Sequence, residues 1–219
     1  MHNVTVAFAA LLVMLLSYFF GCFNGSFMVS HFIIRDDVRK HGSGNAGLTN
    51  FYRTYGAKYA LLVIACDMGK TVAACLLGSF FFRCLGWDGT LGTLLAGLGC
   101  ELGHIFPVFY GFRGGKGILS GGTLVLLLNW RVAAVAWALF LLLWLTTRYV
   151  SLASITATCR APITVYFVYA HNWLYTGLCL AVAALVVWCH RENIQRLLHG
   201  TEKKFKWHVN PMEGKDPPQ

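Results

Sequence analysis

Two polar, glycine-rich runs interrupt an otherwise apolar chain, and they hold much of its reactive chemistry. The first is HGSGNAGLTNFYR, His41 to Arg53. It offers the hydroxyls of Ser43 and Thr49, the amides of Asn45 and Asn50, the guanidinium of Arg53, and Gly42, Gly44 and Gly47. Glycines let a backbone approach a ligand closely or turn its N–H groups inward. An arginine among hydroxyls and amides suits phosphate or carboxylate. Composition alone fits a flexible loop between membrane helices equally well. The second run is GHIFPVFYGFRGGKG, Gly103 to Gly117, which contains His104. Its end sets Arg113 and Lys116 among Gly111, Gly114, Gly115 and Gly117, just ahead of an apolar stretch. A helix N-terminus attracts anions and a lysine adds a point charge. The spacing is not that of a P-loop, because no Ser or Thr follows Lys116. Basic residues at a membrane boundary also meet lipid headgroups, which is the alternative reading of this motif taken alone.

Two further clusters carry polar side chains. Ser151 and Ser154 in SLASIT stand at i, i+3 on one helical face, a common arrangement in membrane helices. HRENIQRLLHGTEKKFKW, His190 to Trp207, brings together His190, Glu192, Asn193 and Arg196 ahead of GTEKK. Its composition alone favours an interfacial basic segment lying on anionic lipid. Charges inside apolar runs are expensive and tend to be paired or functional. Asp67 and Lys70, at i, i+3, are expected to form a structural ion pair. Glu101 and His104, also at i, i+3, are expected to support the glycine-rich turn. Arg160 needs a partner that the sequence does not name. The eight cysteines have no CxxC pairing and read as small buried hydrophobes, not disulfides or metal ligands.

The elements that position these clusters are membrane helices. The 219 residues are 57% hydrophobic and only 12% charged, where soluble domains run near a quarter charged. The apolar stretch from Val4 to Phe20 has no Lys or Arg ahead of it and no clear small-residue cleavage site, so it reads as an uncleaved first span. A crossing takes about 20 apolar residues. Spans are expected near 4–34, 57–82, 90–110, 117–130, 131–147, 150–170 and 172–190. The fourth and fifth are short and could be one span, but the turn at Asn129-Trp130-Arg131 favours two tilted helices. With seven crossings and the loop after the first span inside, only Arg83 and Arg131 of the 18 Lys and Arg face outside, and Lys70 and Arg160 lie within spans. That bias puts the N-terminus outside and the C-terminus in the cytoplasm. All four polar clusters then share one face, as one site would require, although cytoplasmic loops are also simply where polar residues go.

Taken in order, the clusters resemble the bacterial acyl-phosphate-dependent glycerol-3-phosphate acyltransferases, the PlsY family. The matching segments are SGNAGLTNFYR, GHIFPVFYGFRGGKG and HRENIQRLLHGTEKK, with SLAS and LLVIACDMGK between them. The resemblance covers most of the chain. It implies an all-α fold: one membrane domain, residues 1–219, with seven transmembrane helices, ending in a basic cytoplasmic tail from 191 to 219. It implies a multi-pass enzyme of the bacterial inner membrane whose site faces the cytoplasm. The reaction would move a fatty acyl group from acyl phosphate to the sn-1 hydroxyl of glycerol 3-phosphate, giving lysophosphatidic acid and phosphate. The family's functional positions fall on Ser43, Asn45, Arg53, Lys116, Ser154, His190 and Asn193. Gly114, Gly115 and Gly117 carry over as backbone contacts of a glycerol-phosphate loop. Gly44, Thr49, Asn50 and His104 are further candidates for binding substrate, with Thr49 and Asn50 serving mainly to support the loop, and Glu202 matches a position of structural type. Expected partners are glycerol 3-phosphate, acyl phosphate and membrane lipid, not nucleic acid; no cofactor or metal is expected. Departures are Phe27 after Gly25-Ser26, Leu119-Ser120 after Lys116-Gly117, and Thr71 after Lys70.

The residue types agree with that chemistry. Two dianionic phosphates suit a site of arginine, lysine, hydroxyls and glycine N–H groups. An acyl phosphate is already activated, so orientation and charge stabilisation matter more than a strong nucleophile. No Ser-His-Asp or Cys-His arrangement is evident, so direct transfer without an acyl-enzyme is expected. The base is either His190 or a substrate phosphate. A rival reading from another class is a transporter for an organic phosphate, although no internal repeat is visible. His31 and Asp36 have the His-to-Asp spacing of another acyltransferase class, but without its partner motifs the spacing is read as coincidence.

Overall fold

The computed structural model describes residues 2–207, and these are helix and loop throughout. Residues 208–219 of the expected basic tail, Lys215 among them, lie outside the described residues. The helices are α1 (His2–Cys22), α2 (Gly25–Met28), α3 (Leu48–Tyr55), α4 (Ala60–Cys84), α5 (Gly89–Ile105), α6 (Ile118–Leu128), α7 (Trp130–Thr147), α8 (Val150–Val168), α9 (Trp173–Cys189) and α10 (Arg191–Leu198). A single π-turn at Val29–Ile33 follows α2. α1 and α4 to α9 fall on the seven expected segments.

Length separates them. Among the described residues, four helical stretches are long and apolar enough to cross a bilayer: Val4–Ile33, Ala60–Cys84, Gly89–Tyr110 and Trp130–Thr147. A fifth results if α9 and α10, bent by 59°, are taken together. α6 has 11 residues and rises about 16 Å, roughly half a hydrocarbon core. It is nonetheless separate from α7. The Asn129 side chain accepts the Arg131 N–H (2.9 Å) and so caps α7, and the two helices pack against each other.

α5 is the hub, packed against α1, α4, α6 and α9. Its glycines allow this. A Cβ on Gly99 or Gly103 would strike the backbone carbonyl of Met14 or Tyr18 on α1. Small residues at such crossings let helix backbones touch, which is how helices associate when lipid is as apolar as their own side chains. Tyr18 then pins the end of α5 by donating its hydroxyl to the Phe106 carbonyl (2.7 Å). The connections at 23–59, 106–117 and 148–149 and the segment after α9 meet at one end of the bundle. Their mutual hydrogen bonds build the site.

Candidate active site

The floor is the loop of residues 106–117, folded back on the end of α5. The Gly114 N–H donates to the Ile105 carbonyl (3.1 Å) and the Gly115 N–H to the His104 carbonyl (3.1 Å). A Cβ on Gly114 would strike the His104 carbonyl, and one on Gly115 would strike the His104 ring. Gly117, at φ +82°, adopts the left-handed conformation that a side chain resists, and packs on the Glu101 carboxyl. That carboxyl accepts the Ser120 hydroxyl (2.7 Å) in the first turn of α6. Glu101 and His104 thus both lie directly beneath the glycine turn.

The first motif docks on this floor. Gly114's carbonyl accepts the Ala46 N–H (3.3 Å) and the Asn45 side-chain amide (3.4 Å). The buried Asn24 holds the same strand of loop by donating to the Ala46 carbonyl (2.9 Å), while its oxygen caps α2 through the Phe27 N–H (2.9 Å). Asn50 is buried and commits its whole amide to the loop. Its oxygen accepts the Ser43 N–H (2.9 Å), and its nitrogen faces the carbonyls of Val38, His41 and Asn45 at 3.0–3.1 Å. Ser43 and Gly44 stay exposed above it, with Thr49 half-buried in the first turn of α3.

The wall is built from three distant segments. The bend between α9 and α10 at His190 turns Asn193 so that its amide oxygen receives the Lys116 ammonium. The Asn193 amide donates to Glu202 Oε1 (2.7 Å), which also accepts the Ser151 hydroxyl (2.8 Å). Arg196 Nε donates to Glu202 Oε2 (2.7 Å). The segment beyond Glu202 straps across α3: Arg53 donates to the Lys203 carbonyl (3.0 Å), Tyr52 stacks on Phe205, and the Phe205 N–H donates to the Arg148 carbonyl (2.7 Å). His190 Nδ1 lies 2.8 Å from the Val186 carbonyl, which can only accept, so the neutral ring keeps its lone pair on Nε2. Ser154 Oγ is buried and has no hydrogen-bond partner among the described residues.

The electrostatics of the wall are lopsided. Burial holds Lys116 below the ordinary lysine range and the neighbouring Arg196 charge adds to this, while Glu202 and Glu192 oppose. Burial likewise lowers Arg53, with Glu202 opposing and Arg196 adding. Burial would raise Glu202, but hydrogen bonds from Arg196, Asn193 and Ser151 prevail and hold it below the ordinary carboxylate value. Three cations therefore face two carboxylates, the sequestered Glu202 and the exposed Glu192 3.9 Å from Arg196, leaving a surplus of positive charge suited to phosphate.

The structure brings Asn45, Asn50, Gly114 and Gly115 into one docked pair of loops, and joins Lys116 to Asn193. It keeps other expected residues apart. Arg160 is exposed on α8, with no hydrogen-bond or ion-pair partner for its side chain among the described residues. His31 stacks on Phe27 while Asp36 pairs with His41 (2.9 Å), so their spacing builds no dyad. Asp67 and Lys70 do pair, at 2.9 Å. Sequence reasoning passed over Asn24 and understated Glu202 and Arg196. The signal for Asn24 was a lone amide between Phe23 and Gly25 at the end of an apolar run. For Glu202 the sequence offered no sign that one carboxylate would gather three segments.

The family model described as glycerol-3-phosphate acyltransferase matches residues 11–200. A glycerol-3-phosphate acyltransferase of Syntrophomonas wolfei subsp. wolfei is 39% identical over 197 residues, covering 90% of this chain and 96% of the relative. One of Finegoldia magna is 37% identical over 189 residues, covering 86% and 92%. The fold is similar to a crystal structure of PlsY (YgiH), an integral membrane glycerol 3-phosphate acyltransferase in its glycerol 3-phosphate form. That match has a TM-score of 0.79 at 36% identity, over 90% of this chain and 96% of that one. The lysophosphatidic acid form of the same enzyme matches with a TM-score of 0.77.

Proposed function

This chain belongs to the glycerol-3-phosphate acyltransferase family, and we propose that the site around Lys116 and Glu202 is where its reaction occurs. The chain is a multi-pass bacterial membrane acyltransferase. It transfers a fatty acyl group from acyl phosphate to the sn-1 hydroxyl of glycerol 3-phosphate. The observation that carries this site is the Lys116–Asn193–Glu202–Ser151 network, which ties three motifs from distant sequence into one wall of surplus positive charge.

The hydroxyl oxygen of glycerol 3-phosphate attacks the acyl carbonyl carbon. The bond from that carbon to the bridging phosphate oxygen breaks, and inorganic phosphate leaves. Lys116 and Arg53 bind the phosphates, and the N–H groups of the turn at Gly114, Gly115 and Gly117 line the glycerol-phosphate cradle. Ser43 and Asn45 polarise the acyl carbonyl, and Ser154 and Asn193 complete the pocket. Asn50 and Thr49 shape the loop that presents them. The hydroxyl proton passes to a substrate phosphate, whose second pKa is about 6, while the His190 Nε2 lone pair orients the hydroxyl.

The site faces the cytoplasm of the inner membrane, with seven crossings and the N-terminus outside. The excess of Lys and Arg at the site end supports this orientation. The short α6 spans only part of the core by itself, and its ends are sheltered from lipid by packing on α4, α5 and α7. The relatives compared above are named as acyltransferases, which counts against the transporter reading. The test is purified protein with acyl phosphate and glycerol 3-phosphate. Lysophosphatidic acid and phosphate should form in equal amounts, with acyl-CoA inert. Absence of product from either donor would refute the reading.

A further inference from the structure

Below the floor lies a buried charged cluster that has no part in the reaction proposed above. Lys70 Nζ sits 2.9 Å from Asp67 Oδ1, 3.1 Å from the Gly21 carbonyl, 3.0 Å from the Phe23 carbonyl and 2.8 Å from His104 Nδ1. Asp67 Oδ1 also accepts the Gly25 N–H (3.0 Å) and lies 3.7 Å from His104 Nδ1. All three side chains are buried. Burying such a group is costly, and a packed apolar trio is often as stable, so stability alone is a weak reason for it.

We propose that His104 is a positioning residue for the glycine turn and that the Asp67–Lys70 pair fixes its ring tautomer. This rests on reading that turn as the glycerol 3-phosphate cradle. An ammonium has protons and no lone pair. With Lys70 against it, Nδ1 must accept, so the ring proton sits on Nε2. Nε2 lies directly beneath Gly115, where any Cβ would collide with it. The Ala46 carbonyl, 3.1 Å from that same Cβ position, borders the same space. The ring N–H therefore underlies the contact between the first and second motifs, while the His104 carbonyl accepts the Gly115 N–H from the other side (3.1 Å). One residue sets the height and tilt of the turn through two atoms. Its ring orientation is set in turn by Lys70.

A glutamine can present an N–H near the Nε2 position, whereas a phenylalanine cannot. His104→Phe should raise the KM for glycerol 3-phosphate about tenfold or more, with kcat and the KM for acyl phosphate held within about threefold. His104→Gln should restore most of the loss. A merely structural role would lower kcat with the active fraction and leave the KM unmoved. Phe and Gln variants that behave alike would overturn the proposal, as would a fall in kcat alone. Should His104→Phe fail to fold, nitrogen NMR of histidine-labelled wild-type protein gives an independent answer. The proposal requires a protonated Nε2 and a bare Nδ1, and a proton on Nδ1 refutes it. Wild-type protein that makes no lysophosphatidic acid would instead sink the functional reading, whatever the tautomer.

Discussion

The cluster beneath Gly115 and the cluster around Glu202 both gather charge at one end of the bundle, but they balance it differently. Below the turn, Asp67 answers Lys70, and two backbone carbonyls and the His104 ring share the remaining two N–H donors of the ammonium. At the wall, Lys116, Arg53 and Arg196 outnumber the sequestered Glu202 and the exposed Glu192, both held by Arg196. A closed, neutralised cluster can fix geometry but has little left to offer a ligand. A cluster with surplus cations is an incomplete electrostatic circuit that a phosphate completes. On the proposed reading, the floor positions and the wall binds.

Substitutions should separate the two. The largest effect is expected at the wall: Lys116→Ala should lower kcat/KM for glycerol 3-phosphate about 10³-fold, roughly 4 kcal/mol of transition-state stabilisation. Activity retained in full at low glycerol 3-phosphate would remove Lys116 from its role. Asn193→Ala follows, at about 10²-fold, because it strips Lys116 of its acceptor and Glu202 of one donor.

Glu202→Gln is expected to act through pH. Glu202 raises the Lys116 pKa, which burial and Arg196 already hold low. Without the carboxylate Lys116 loses its proton earlier, so the alkaline limb of kcat/KM should move to lower pH. An unmoved limb would dissociate Lys116 from that ionisation. The same variant reports on stability. The folded pKa of Glu202 is depressed, so its contribution is complete above the ordinary glutamate value of 4.5 and is lost as pH falls through the folded value. Wild type should melt about 3–6 °C above Glu202→Gln at neutral pH, with the gap closing in acid. The smallest effect belongs to Arg160→Gln. With no partner at either cluster, it should leave kcat/KM within about twofold, as surface substitutions usually do.

Local pattern carried much of this arrangement. Apolar run length located α1, α4, α5 and α7, and the Asn129 turn separated α6 from α7. The i, i+3 spacings foretold the Asp67–Lys70 pair and the place of Glu101 and His104 under the turn. What local pattern could not supply was contact across the chain. Lys116 and Asn193 are 77 residues apart, and Ser151 and Glu202 are 51 apart. No periodicity encodes such pairs. The segment from Arg191 read by composition as a lipid-bound tail, yet α10 and the strap through Phe205 are part of the wall, because a 59° bend at His190 turns them back over the site. Asn24 was hidden for a related reason, since its partner, the Ala46 carbonyl, is a backbone atom that sequence does not mark.

The central claim is that motifs far apart in sequence act as one pocket. A double-mutant cycle on kcat/KM for glycerol 3-phosphate, using Lys116→Ala and Asn193→Ala, tests it most directly. If the two side chains work as a unit, the double variant should lose little more than Lys116→Ala alone, a coupling of about 2–3 kcal/mol. If instead the two losses multiply, Lys116 and Asn193 act independently, and the wall is not the single site described.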